Sequence, residues 1–189
     1  MAKFEVLEEI NALFNEGLHR QNRGTLPRGY VYHLGHPGKT LLLTGMPDLP
    51  IQLKADRLAE KAGEGYGHPF QLADVRDLPE AINNPLAVFS YGDKAKAMNI
   101  ITKIEKYEKQ FLAGVSLNPE VNGIWLNINS IRTVFPKDAH EWLRWIEEDK
   151  TLYLDKKEVL SILANPRHPE DVANNPTLLN KINSFQNPI

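Results

Sequence analysis

The residues best suited to chemistry in this chain lie in Lys61-Ala-Gly-Glu-Gly-Tyr-Gly-His68-Pro-Phe. This is a glycine-punctuated loop with an ammonium at one end and an imidazole at the other. The unperturbed pKa of histidine lies nearest neutrality, so His68 suits proton transfer without tuning. Lys61 could stabilise a pentavalent phosphate, although a lysine at a helix end also has a structural reason to be there. Local chemistry leaves a catalytic loop and an ordinary connection both open. A second group is Ser130-Ile-Arg132-Thr133, at the end of an expected strand. Strict alternation puts Ser130 and Arg132 on one face, and Ile131 and Thr133 on the other. An arginine beside a hydroxyl suits a phosphate or a developing oxyanion, with a salt-bridged surface arginine as the alternative.

Other motifs lose their chemical reading on inspection. Gly35-His-Pro-Gly38-Lys39-Thr40 resembles a phosphate-binding loop, but that motif needs a glycine where His33 stands. A helix should also follow it, whereas Leu41-Leu-Leu reads as strand. His33 and His36 have no acidic partner nearby in sequence, and read as exposed turn residues rather than metal ligands. His140-Glu141 lacks a second histidine at helical spacing, so no zinc-protease motif is present. Trp142 and Trp145 lie three apart on an expected helix. They read as packing against a sheet, with a base-stacking platform as the alternative.

The elements that must position these residues follow from periodicity. Residues 4–18 carry Phe4, Leu7, Ile10, Phe14 and Leu18 at helical spacing. Residues 29–35 and 40–45 read as a hairpin joined by His36-Pro-Gly-Lys39, 51–53 as a short strand and 54–62 as a helix. A helix over 72–82 precedes apolar runs at 86–91, 98–104 and 111–117 and an alternating stretch at 123–134. These four strands suit an antiparallel meander. A helix over 137–149, a strand over 151–154 and a capped helix from Asp155 through Leu163 complete the pattern. The tail is rich in Asn and Pro, and Leu178, Leu179, Ile182 and Phe185 mark a short docking helix within it. The expected class is α+β: an N-terminal helix and small hairpin, then a helix and an antiparallel sheet of about four to five strands with packed helices. The expected divisions are residues 1–25, 26–163 and 164–189.

Composition narrows the function classes. A chain of 189 residues has room for one domain, or one domain plus a small subdomain, with a core large enough to fold unaided. Its net charge of −2 excludes a broad basic field for nucleic acid, while leaving room for a local basic cleft. The absence of cysteine excludes disulfides, cysteine-ligated zinc and thiol nucleophiles. No apolar run reaches membrane-spanning length, and the N-terminus is too acidic for a signal peptide. The expectation is a cytoplasmic protein with no cofactor, no metal, no membrane association and no DNA partner.

One series of segments resembles a known family. Lys61…His68-Pro-Phe is followed by Leu78-Pro-Glu-Ala-Ile-Asn-Asn-Pro-Leu-Ala-Val-Phe89 and Met98-Asn-Ile-Ile-Thr102. Phe111-Leu-Ala-Gly-Val-Ser-Leu117, Asn129-Ser-Ile-Arg-Thr-Val-Phe-Pro-Lys137, and Trp145-Ile…Leu152-Tyr-Leu-Asp-Lys156 complete it. Together, over about residues 26–163, they are similar to the phage MuF C-terminal domain family, found in phage head-morphogenesis proteins and large proteins of mobile elements. The family is grouped with the barnase–EndoU–colicin–RelE-like fold. The resemblance implies a nuclease-like sheet with a site at its open face, and a metal-independent endoribonuclease or toxin. It nominates His68 as general base or acid, Lys61 and Arg132 as phosphate-binding cations, and Ser130 or Thr133 as a positioning hydroxyl. Tyr66 and Lys156 are outlying substrate contacts, and Glu64 or His140 would be a second proton-transfer group. RNA is the implied partner, with an immunity protein as another. The alternative is a catalytically inactive module that binds RNA or protein.

Overall fold

Seven strands in the order β1-β2-β8-β5-β4-β3-β9 form the central sheet of the computed structural model, which describes residues 6–63, 69–92, 96–165 and 174–189. The strands are β1 (Val31–His33), β2 (Ile51–Lys54), β3 (Ala87–Tyr91), β4 (Ala97–Lys106), β5 (Lys109–Leu117), β8 (Asn129–Lys137) and β9 (Thr151–Leu154). A separate two-stranded ribbon, β6 (Glu120–Val121) and β7 (Ile124–Trp125), projects between β5 and β8. The helices are α1 (Leu7–Asn22), α2 (Lys39–Leu43), α3 (Ala55–Ala62), α4 (Leu78–Asn83), α5 (Ala139–Glu147), α6 (Lys156–Leu163) and α7 (Pro176–Ser184).

The expected meander is present, since β3, β4, β5 and β8 pair antiparallel in that order. The sheet is larger than four to five strands, however, and it is mixed. β9 adds antiparallel to β3, while β2 runs parallel to β8 and carries β1 on its other side. The segments at 51–53 and 151–154 read as strands, but pairing between segments far apart in sequence leaves no local signal, so their joining to this sheet was not expected.

Alternation along each strand sends side chains into two cores. One core packs Phe14 and Leu18 of α1, Leu58 of α3, and Leu78 and Ile82 of α4 against Ile51, Val88, Ile100, Ala113, Val115 and Ile131. The other packs Trp142, Leu143 and Ile146 of α5, Val159 of α6, and Leu178 and Ile182 of α7 against Ala87, Phe89, Ile101 and Leu112. Burying each large apolar side chain contributes about 1.5–3 kcal/mol relative to leaving it exposed. The tail helix is thus docked as the sequence suggests. Trp142 is wholly buried, with its indole Nε1 donating to Gln110 Oε1 at 3.2 Å.

Four local expectations are corrected. The segment after His36-Pro-Gly-Lys39 is helix α2 rather than a hairpin arm, and β1 pairs instead with β2. Gly38 is fixed there by Asn83, whose Oδ1 accepts from its backbone N–H at 2.7 Å. A Cβ on Gly38 would meet the same oxygen at 2.7 Å, so this glycine makes room for a structural contact. The helix expected over 72–82 is broken at Asp77, which is left-handed (φ 63°) between a 3-10 turn (Leu72–Val75) and α4. The conformation is stabilised by α1. Asn11 Nδ2 and Asn15 Nδ2 both donate to Asp77 Oδ1 (2.7 and 2.6 Å), and the Asp77 N–H donates to Asn15 Oδ1 (2.8 Å). The alternating stretch at 123–134 divides into β7 and β8, leaving Ile124 and Leu126 exposed. Its signal was Asn122-Gly123, both at positive φ (52° and 78°), a residue pair that closes two-residue hairpins. Thr133, expected on the face opposite Arg132, shares the cleft with it.

Candidate functional site

The sheet face beneath α5 changes character along its strands. Register places Ala87, Ile101, Leu112 and Phe135 in three antiparallel pairs across β3, β4, β5 and β8. This row is apolar and lies in the second core. The next row is Phe89, Asn99, Gly114 and Thr133, and the one beyond is Tyr91, Ala97, Ser116 and Ser130. Directly opposed residues share a face, so small and polar side chains replace large apolar ones moving away from α5. The result is an open cleft of about 290 Å³, lined by Asn99, Gly114 and Thr133 of one outer row and Tyr91, Ala97 and Ser116 of the other, with Arg132, Lys137 and Trp145 at its margins.

A β-bulge sets the geometry of its basic end. Gly114 pairs with Thr133 and the adjacent Val115 with Ile131, so Arg132 is an extra residue in β8. Strict alternation expects Arg132 and Thr133 on opposite faces. The bulge instead turns both into the cleft, while Ile131 stays in the opposite core. Ser130, opposite Ser116, lies at the edge of the same face. The guanidinium of Arg132 is exposed and makes no ion pair or hydrogen bond among the described residues. It is therefore available for an anion.

The walls are aromatic. Trp145 packs edge-to-face on Phe89 at 5.3 Å between ring centroids and is only partly buried. Tyr91 on β3 is 62% exposed. Lys137 is engaged: its Nζ pairs with Glu141 at 2.7 Å and lies over Phe135 and Trp145 at 5.7 and 5.8 Å. On the floor, Asn99 is nearly buried and its amide makes no hydrogen bond among the described residues. No carboxylate or imidazole lines the cleft among the described residues, so it is locally cationic in a chain of net charge −2.

The sequence candidates separate in space. Arg132 and Thr133 line the cleft, and Ser130 borders it. Lys61 lies in the last turn of α3, whose Ala55 and Leu58 belong to the core on the other sheet face, and it does not line the cleft. Lys156 begins α6, and its Nζ donates to the Asn183 carbonyl at 3.0 Å. His140 is exposed on α5, and His36 pairs with Asp48 at 2.9 Å. His68, Tyr66 and Glu64 lie outside the described residues. No group of three potential metal ligands occurs among the described residues, and none of their helices is long and apolar enough to cross a membrane. Sequence reasoning passed over Asn99, Gly114, Ser116 and Tyr91. Their signal was present as Asn99 and Gly114, a polar and a side-chain-free residue interrupting otherwise apolar strands.

Residues 59–161, more than half of the chain and including every residue that lines this cleft, match the model of the phage MuF C-terminal domain. The chain belongs to that family. No curated protein and no solved structure matches it. The matched segment of this MuF C-terminal domain starts within α3 and ends within α6, so strands β1 and β2 precede it.

Proposed function

We propose that this MuF C-terminal domain is an endoribonuclease-like effector that binds single-stranded RNA across the open face of its sheet. The observation that supports the reading is the guanidinium of Arg132, unpaired among the described residues and turned beside Thr133 into a cleft walled by Tyr91 and Trp145. A guanidinium presents a planar fork of donors to phosphate oxygens, and aromatic walls stack bases of any sequence. Thr133 supplies a hydroxyl to the same phosphate, and Asn99 an amide at the floor.

Cleavage in such a site is an internal transfer. A base takes the ribose 2′-hydroxyl proton, and the 2′-oxygen forms a new bond to phosphorus. The bond to the 5′-oxygen breaks, and that oxygen leaves with its electron pair and takes a proton from an acid. The products are a 2′,3′-cyclic phosphate and a 5′-hydroxyl. Arg132 would stabilise the charge on the phosphorane. The proton-transfer group nominated by the sequence is His68, with Lys61 as a further cation.

A second reading is an RNA-binding module without catalysis. It is favoured by the lack of any imidazole or carboxylate among the described residues that line the cleft. One experiment separates the two. Wild type, Arg132→Ala and His68→Ala are mixed with a fluorescent single-stranded RNA pool, and both binding and cyclic-phosphate ends are measured. The effector reading expects binding lost in Arg132→Ala, and cleavage lost but binding kept in His68→Ala. Binding without cleavage by wild type supports the silent module. Wild type that neither binds nor cleaves overturns both.

A further inference from the structure

The ribbon β6–β7 stands beside the cleft and forms a second groove with it. Lys96, Ser116, Asn118, Glu120, Asn122 and Trp125 line a space of about 400 Å³. Ser116 also lines the Arg132 cleft, so the two spaces meet on the floor of the sheet. In the ribbon, Glu120 pairs with Trp125 and Val121 with Ile124. Opposed residues share a face, so Trp125 and Glu120 face the groove while Val121 and Ile124 face away. The indole of Trp125 is 51% exposed, and Lys96 Nζ lies 5.9 Å from its ring centre.

An indole left half-open next to a cation, at the end of a cleft, has a use that packing does not supply. The Glu120 carboxylate on the same face opposes a phosphate there, so the groove is suited to a neutral aromatic ring. We infer that Trp125 forms a second base-stacking subsite, which takes a base of a single RNA strand beyond the two that flank the phosphate at Arg132. The inference rests on the RNA reading above. It adds that binding depends on strand length, because a short ligand fills the Arg132 cleft alone and a longer one also reaches Trp125. Two-residue turns such as Asn122-Gly123 hold their flanking strands closely, so the indole is presented on a defined ribbon.

The test compares a fluorescent dinucleotide with an oligoribonucleotide of about a dozen residues, long enough for the site size of a stacking groove. Both are titrated against wild type, Trp125→Ala and Trp125→Phe. Stacking on one aromatic residue predicts that Trp125→Ala weakens the long strand about tenfold to a hundredfold. The dinucleotide should be unaffected, and Trp125→Phe should restore most of the loss. Equal affinity of Trp125→Ala and wild type for the long strand overturns the subsite while leaving the Arg132 cleft standing. The subsite is also overturned if Trp125→Ala changes only the self-association of the protein, which would make the ribbon a protein contact. Failure of wild type to bind either ligand overturns the RNA reading itself, and the subsite with it.

Discussion

Thr133 occupies the space that a side chain on Gly114 would need. The two residues are opposed across β8 and β5, and a Cβ built on Gly114 would lie 2.8 Å from Thr133 Cγ2 and 3.4 Å from Asn99 Oδ1. Gly114 is therefore the floor that allows Asn99 and Thr133 to approach each other across three strands.

Gly114→Ala should destabilise the protein by about 1–3 kcal/mol, the usual cost of adding a methyl group to a filled space. Thr133→Ser removes the colliding methyl and keeps the hydroxyl. The double variant should therefore recover most of the loss in urea unfolding. Equal destabilisation with and without Thr133→Ser would show that the clash is not the cause.

Arg132 makes no side-chain hydrogen bond or ion pair among the described residues, so its removal should affect ligand binding more than stability. Arg132→Ala should change unfolding free energy by no more than about 0.5 kcal/mol. It should weaken RNA binding about tenfold to a hundredfold, the worth of hydrogen bonds to a charged group. Arg132→Lys keeps the charge but loses the planar fork, and should fall between the two. Fluorescence anisotropy together with thermal unfolding measures both arms.

Tyr32 supplies an alkaline signature. Its ring is buried between Phe14 and Tyr30 and its hydroxyl donates to Gln21 Oε1 at 2.7 Å. Burial first, and Tyr30 second, push its pKa well above the ordinary value of 10.0. In the unfolded chain the phenol loses its proton near that value, whereas the native state holds it. Above it the unfolded state binds fewer protons, so stability falls as pH rises. The loss opens near pH 10.0 and runs upward toward the raised native value. From about pH 9 to about pH 11 the urea midpoint should drop in wild type, and drop less in Tyr32→Phe.

Asn187 closes an open edge of the sheet. Leu154 of β9 donates its N–H to Asn187 Oδ1, and Asn187 Nδ2 donates to the Leu154 carbonyl, both at 2.8 Å. The side-chain amide thus stands where the next strand would pair. Asn187→Ala should cost about 1 kcal/mol, lowering Tm by about 2–4 °C for a chain of this size. Light scattering on heating should show earlier association in the variant. An unchanged onset would mean that the tail does not protect this edge.

Much of the architecture was legible from local pattern. Short apolar runs marked β3, β4 and β5, which are buried on both faces, and helical spacing or composition marked α1, α3, α5 and the docked α7. Length, charge and the lack of cysteine are fixed by the sequence itself, and the dispersed motifs at residues 61–156 were enough to mark the family. Arg132 was likewise recognisable as an arginine beside a hydroxyl at a strand end. What the sequence did not contain locally was decided by tertiary structure. β2 joins β8 in parallel across distant residues, and Asp77 is held left-handed by two asparagines of α1. One extra residue in β8 sets Thr133 beside Arg132 over Gly114 and Asn99. Alternation counts residues along one strand, whereas a bulge exists only relative to the partner strand. The residue types of the cleft were therefore written in the sequence, but their convergence on one face came from the pairing of β8 with β5.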